Sequence, residues 1–259
     1  VQLGTDTHLA DLGLTPERNY DTCAERNAGM NVLSMRWEDL LFAHWRVEPG
    51  TVEANLPGGF EVDTYDGAAW LGVVPFVMRN IRPRGTPRCL GLDFAELNLR
   101  TYVRVGGERG VYFFSLDADD ILGVTGARLG YDLPYYRAKT DVDTGDGEIR
   151  FGSSRRDPRA PSAEFDATYS PKGEGFVVDE GSLAEFLTER YAFFVASGDG
   201  VVRGEISHPR WRLYDADAEF RTNTLFDANG FGKPDGDPHL LYGEGIDVTA
   251  SVPRRMSSV

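Results

Sequence analysis

The chain has 259 residues, 41% hydrophobic and 26% charged, with 27 basic against 41 acidic side chains and a formal net charge of −14, long enough for one large domain with a full apolar core. Its longest apolar runs, 71–77 and 111–114, fall far short of a membrane span, and no basic stripe offers the phosphate neutralisation by which proteins hold nucleic acid. Only Lys139, Lys172 and Lys233 are lysine, and this acidic, Arg-over-Lys surface is expected of a protein from a salt-loving source.

Residues 1–29 are polar and weakly periodic, and read as an N-terminal extension ahead of a single domain over 30–259. No basic stretch or apolar signal region leads them, so the cytoplasm is the expected compartment. From Met30 onward, short runs rich in Val, Phe, Tyr, Trp and Thr are separated by Gly, Pro and Asp turns. The pattern predicts strands over 40–47, 68–78, 97–105, 111–116, 138–142, 148–152, 163–169, 201–206, 210–213 and 218–224. Asp146-Gly147, between two of them, reads as a hairpin turn. Three helices are expected among the strands. Glu48-Pro49 opens one through about Asn55, because proline suits the first helical position. A second over 117–129 has acids in its first turn and Arg128 near its end, as the helix dipole favours. Ser182-Leu183-Ala184-Glu185 is a capping box for the third, with Leu183, Phe186, Leu187 and Tyr191 as its apolar face. No repeat or linker divides the chain, and the expected class is α+β, mainly β.

The most informative stretch is 96–105. Strict alternation places Leu97, Leu99, Val103 and Val105 on one face and Glu96, Asn98, Arg100, Tyr102 and Arg104 on the other. The polar face is either ordinary solvated sheet or the wall of a barrel cavity, in which Arg100 grips a ligand carboxylate and Glu96 moves a proton. His44 sits within an apolar strand and is a pocket candidate. His44, His208 and His239 lack metal-binding spacing, and acid pairs such as Asp141 with Asp143 lack the calcium-loop pattern, so neither a metal nor another cofactor is expected. Cys23 and Cys89 read as free thiols. Phosphate-loop, dinucleotide and serine-elbow motifs are absent from the sequence.

Several blocks in order resemble a known family: Phe42-Ala43-His44-Trp45, Leu56-Pro57-Gly58-Gly59-Phe60, Val74-Pro75-Phe76, 96–103, 112–117, Leu133-Pro134-Tyr135, 186–191 and His208-Pro209-Arg210-Trp211. Together they are similar to the YqjF-like proteins, grouped with acetoacetate decarboxylase-like proteins, over roughly Met30 to Pro253. The resemblance implies an antiparallel β-barrel or cone around a small-molecule cavity, with a few helices outside. Acetoacetate decarboxylases form a Schiff base through a lysine in a Pro-Lys-Lys segment, whose pKa a neighbouring cation lowers. Here the matching segment is Pro134-Tyr135-Tyr136, so tyrosines occupy the lysine-pair positions and decarboxylase activity is not expected. Glu96 matches an active-site glutamate of that family, while the strand that supplies the second reads Trp70-Leu71-Gly72-Val73-Val74 and holds no acid.

The expected function is the binding of a small carboxylate- or carbonyl-containing molecule, with Arg100, Arg128, Tyr136, His44 and Tyr102 as binding groups. The alternative is an acid–base enzyme on a small keto acid, with Glu96 as base and Tyr135 or Tyr136 as acid, or with Lys139 as a displaced amine that forms a Schiff base. A structural module with a filled barrel and an apolar exterior patch is a third reading. The expected partner is a small molecule, with neither nucleic acid nor membrane, and assembly as a homo-oligomer is open.

Overall fold

The structure is a computed structural model that describes residues 31–119, 133–198 and 200–256. Its strands are β1 (Asn31–Val47), β2 (Glu61–Val62), β3 (Ala69–Pro83), β4 (Leu92–Val105), β5 (Glu108–Ala118), β6 (Tyr135–Gly145), β7 (Glu148–Arg155), β8 (Glu164–Val177), β9 (Ala192–Ser197), β10 (Gly200–Ser207), β11 (Arg212–Asn223), β12 (His239–Ser251) and β13 (Arg254–Arg255). The short helices among the described residues are α1 (Pro49–Glu53), α2 (Leu183–Thr188) and α3 (Leu225–Ala228), and none is long and apolar enough to cross a membrane.

The strands close on themselves twice. β12, β1, β3, β4, β5, β9 and β10 are hydrogen-bonded in that order, and β10 returns to β12, which makes a barrel-like ring. β6, β7, β8 and β11 leave from β5 and rejoin at β12. β12, β1, β3, β4 and β5 are therefore a wall common to two lobes. Long strands must curl to close in this way, and two of them do so at residues with positive φ, Asp39 in β1 and Asn80 in β3, both at 54°. Asp and Asn tolerate that conformation better than other side chains. Asp39 is also held in place, its carboxylate and carbonyl accepting the hydroxyls of Tyr242 at 2.9 Å and Tyr169 at 2.7 Å.

Because both lobes are covered, both faces of the common wall are buried. The odd-numbered face of β1, β3 and β4 sends Leu41, Ala43, Leu71, Val73, Leu97 and Leu99 into a dry core with Phe151, Phe165 and Tyr169. Burial of a large side chain there stabilises the fold by about 1.5–3 kcal/mol. The even-numbered face sends Phe42, Val74, Phe76, Glu96, Asn98 and Arg100 into the other lobe, which is hollow.

The local signals act as their chemistry requires. Asp146 and Gly147 turn the β6–β7 hairpin with φ of 55° and 80°, both positive as the tight hairpin turn demands. Ser182 Oγ accepts the Glu185 amide at 3.1 Å, and the Glu185 carboxylate accepts the Gly181 amide at 2.6 Å. Phe186 and Leu187 are buried as α2 packs over one end of the ring, but the helix ends at Thr188 and Tyr191 is exposed beyond it.

Four expectations need correction. The helix over 117–129 does not begin at Asp117, because Asp117 and Ala118 complete β5; the rest of that segment from 120, Arg128 included, lies outside the described residues. Asp117 is instead buried in a bidentate pair with Arg155, Nε to Oδ1 at 2.7 Å and Nη2 to Oδ2 at 3.0 Å. The strands at 210–213 and 218–224 are one strand, β11. β9 and β12 were not expected; β12 alternates apolar residues with glycines and acids, which hides its period. β1 also starts nine residues earlier than its apolar run, because its polar residues there face solvent. The 1–29 extension falls outside the described residues.

Candidate functional site

The hollow lobe encloses a cavity of about 140 Å³. Its walls come from β1, β3, β4, β5, β6, β9, β10 and β12, with the segment after α2 at one side. Most of the lining is apolar, including Trp37, Phe76, Met78, Phe113, Phe193 and Trp211. The polar groups concentrate on one face of β4, where Glu96, Asn98 and Arg100 follow one another at the strand's two-residue period.

Glu96 is 3% exposed. The Tyr135 hydroxyl donates to its Oε2 at 2.6 Å, and Asn98 Nδ2 lies 3.5 Å from its Oε1. Burial raises the Glu96 carboxyl from 4.5 to about 7, against the opposing pull of Tyr135, Asn98 and the Arg100 charge. Burial, reinforced by Glu96, pushes the Tyr135 phenol well above its ordinary range. Near neutrality the pair is therefore a half-ionised carboxyl beside a phenol that keeps its proton.

Arg100 is half-buried. Its Nη2 donates to the Leu187 carbonyl at 3.3 Å, one of the last-turn carbonyls that α2 leaves without a helical partner. Its Nε is buried without a partner, and among the described residues no acid lies within ion-pair distance of its guanidinium. Its guanidinium carbon lies 5.4 Å from the Phe42 ring centroid and 5.8 Å from that of Tyr102.

Behind Arg100 stands a fully buried polar relay. The Tyr102 hydroxyl donates to the Leu187 carbonyl at 2.6 Å and lies 2.6 Å from His44 Nε2. Its one proton is committed to the carbonyl, so His44 carries its hydrogen on Nε2 and donates to the tyrosine oxygen. Burial, and then the Arg100 charge, hold His44 well below 6.5 and hence neutral. Space for the imidazole exists because its β3 neighbour is Gly72, where a Cβ would lie 2.6 Å from His44 Nε2. The His44 ring of β1 thus lies over Gly72, in the β3 stretch where the resemblance expected an acid and the sequence has none.

Arg190, 7% exposed, is the cavity residue that sequence reasoning missed. Its Nε donates to the Phe186 carbonyl at 2.7 Å and its Nη1 to Asp63 at 2.9 Å, while Nη2 is buried without a partner. Burial, and then the like charge of Arg109, lower it to about 10. Asp63 also accepts Arg104 at 2.9 Å and Arg109 at 2.8 Å. Burial alone would raise its carboxyl, but the three guanidiniums outweigh burial and hold it below the ordinary range. Nothing in the sequence distinguishes Arg190 from a solvated arginine at a helix end; its burial comes from the stacking of Tyr102 and Phe186 beneath it.

The remaining candidates lie apart from the cavity lining. His44 and Tyr102 support Arg100 from behind. Tyr136 faces away and stacks on Arg155, 4.6 Å from its guanidinium carbon. Lys139 is exposed on β6, opposite Ser154 of β7. Lys172 and Lys233 are exposed as well, so no lysine of the chain lines the cavity. Arg128 is among the residues not described. Among the described residues, no group of three His, Cys, Asp or Glu side chains is placed to hold a metal ion.

Residues 34–247 match the family DUF2071, described as an uncharacterized conserved protein. The chain belongs to this family. The uncharacterized protein YqjF of Bacillus subtilis (strain 168) is 40% identical over 221 residues that span 85% of this chain and 90% of the relative. Among solved structures, the enduracididine biosynthesis enzyme MppR complexed with pyruvate is similar with a TM-score of 0.64 at 14% identity, covering 90% of this chain and 94% of that one. An acetoacetate decarboxylase-like enzyme from Sphingomonas wittichii RW1 gives 0.60 at 14%, covering 88% and 94%. The acetoacetate decarboxylase of Legionella pneumophila gives 0.58 at 14%, covering 96% and 98%. These likenesses show that this DUF2071 chain has the acetoacetate decarboxylase-like fold, mainly β with few helices.

Proposed function

We propose that the cavity binds a small molecule carrying a carboxylate or a polarised carbonyl, with Arg100 as the group that receives its charge. The observation that carries this reading is Arg100 itself, a cavity-lining guanidinium with an unpartnered Nε and no acid paired to it among the described residues. A buried donor left unpartnered costs free energy that a ligand oxygen recovers. Arg190 Nη2 is a second unpartnered buried donor on the same cavity residue set, and Asn98 Oδ1 an unpartnered acceptor. A Schiff base has no place in this reading, because all three lysines are exposed and Tyr135 stands at the cavity wall.

The test is calorimetric titration and thermal unfolding of the wild type and Arg100→Met with pyruvate, acetoacetate and short alkanoates. Loss of a charge-assisted pairing weakens binding roughly ten- to hundredfold. Equal binding by both proteins refutes the role of Arg100.

A second reading, acid–base chemistry on a keto acid, is favoured by the 2.6 Å contact between Glu96 and Tyr135 inside the cavity. Ionised Glu96 takes a proton from the carbon next to the ligand carbonyl. The C–H electron pair becomes the C=C of an enolate, and Arg100 meets the charge that develops on oxygen. The proton returns by the same route, so the net reaction is exchange. Deuterium incorporation into a 2-oxo acid in D₂O, followed by NMR, is expected for the wild type and absent in Glu96→Gln; no exchange above the protein-free rate refutes this reading.

A further inference from the structure

The proposed carboxylate reading leaves open what the rest of the ligand looks like, and the inference here rests on that reading. We infer that the ligand is a monocarboxylic acid with an extended apolar body, lying along the strands with its carboxylate at Arg100 and its tail toward the Leu33–Ile81–Ala250 end of the cavity.

Strand register sets the two ends. On the β1–β3–β4 wall, His44 is opposite Gly72 and Gly72 opposite Arg100, while Leu33 is opposite Pro83 and Ile81 opposite Leu92. Arg100 thus lies toward one end of the wall and the Leu33–Ile81 pair at the other, with Glu96 opposite Phe76 between them. α2 covers the Arg100 end through the Leu187 carbonyl. At the other end Ala250 is paired with both Leu33 and Ile206, and all three line the cavity. Trp37, Phe76 and Met78 line the walls between the ends, while Phe113, opposite Arg100 on β5, and Phe193, beside Val111, belong to the Arg100 end.

The position of Arg100 and the apolar far end together set the number of carboxylates. Arg190 is paired with Asp63, which leaves Arg100 as the guanidinium of the described cavity residues without an acid. One carboxylate satisfies it. A second carboxylate at the far end of the same ligand would lie away from Arg100 and Arg190 and face Leu33, Ile81, Ile206 and Ala250, at a large desolvation cost. An amine in place of the acid would meet Arg100 with a like charge.

The experiment is calorimetric titration at pH 6 of straight-chain alkanoates of increasing length below micelle formation, with the matching dicarboxylates and alkylamines, on wild type, Arg100→Met and Ala250→Leu. Affinity is expected to rise about fourfold per added methylene until the cavity is full. The matching diacid binds at least roughly tenfold more weakly, and the amine not measurably. Arg100→Met lowers every acid by a similar factor, whereas Ala250→Leu leaves the shortest acids unchanged and ends the rise at a shorter chain. If pyruvate and acetate bind through Arg100 but lengthening brings no gain, the inference is overturned and the carboxylate reading stands. Equal binding of diacids or amines also overturns the inference. If no acid binds, or Arg100→Met binds as wild type does, both fall together.

Discussion

Replacement of Glu96 by glutamine isolates one ionisation buried in the cavity wall. The carboxyl titrates near 7 in the fold against an ordinary value of 4.5, so the folded state holds its proton more tightly than the unfolded chain does. The resulting stabilisation is complete below about pH 4.5, declines as pH rises and is gone once pH passes about 7. Above that, the ionised side chain is worse for the fold than its neutral form by about 3 kcal/mol, given about 1.4 kcal/mol per pH unit of displacement. At 3% exposure little solvent screening reduces this figure. Glutamine has the same shape, accepts the Tyr135 hydroxyl and never ionises. The difference in unfolding free energy between Glu96→Gln and wild type is therefore expected near zero at pH 4.5 and about 3 kcal/mol in favour of the variant at pH 8.5, or about 6–12 °C in Tm. Urea unfolding of both proteins from pH 4.5 to 8.5 measures it. His44, His208 and His239, all lowered chiefly by burial, contribute to each curve but cancel in the difference. A difference that does not change with pH, or a variant less stable than wild type at pH 8.5, refutes the account of Glu96 as a carboxyl kept largely neutral by burial.

Tyr135→Phe removes the hydrogen bond that opposes burial at Glu96, so the midpoint of the same pH profile moves upward by about one to two pH units; an unchanged midpoint shows that the contact does not hold the anion. Arg155→Met leaves Asp117, 1% exposed, without its bidentate partner and is expected to destabilise the protein by about 3–5 kcal/mol. Asp117→Leu added to it recovers part of that loss, and a double variant no more stable than the single one argues against an unpaired buried charge as the cause. In Gly72→Ala the new methyl meets the His44 ring at 2.6 Å. The overpacking costs about 1–3 kcal/mol in denaturant unfolding, and carboxylate binding weakens as His44 and Tyr102 shift behind Arg100.

The alternation from Glu96 to Arg104 by itself determined that β4 carries its polar groups on one face, because side chains in a strand must point to opposite sides in turn. The same local physics made the Asp146-Gly147 hairpin and the Ser182 cap readable, since each depends on neighbours within four residues. The order of the motif blocks was enough to indicate the family. Whether the Glu96 face meets water or a cavity was not readable, because that depends on β9, β10 and β12, all distant in sequence, closing over it. The same long-range closure decided the fate of the charged candidates. Tyr135 is buried where β6 pairs with β5, but by Lys139 the strand has changed partner to β7 and the side chain points to solvent. Arg190 and Asp63 are 127 positions apart in sequence and 2.9 Å apart in space. Alternation, turns and caps are fixed by bonded geometry and near neighbours. Burial, pKa and the pairing of charges are fixed by what the rest of the chain brings against them, and the chemistry of this site rests on those.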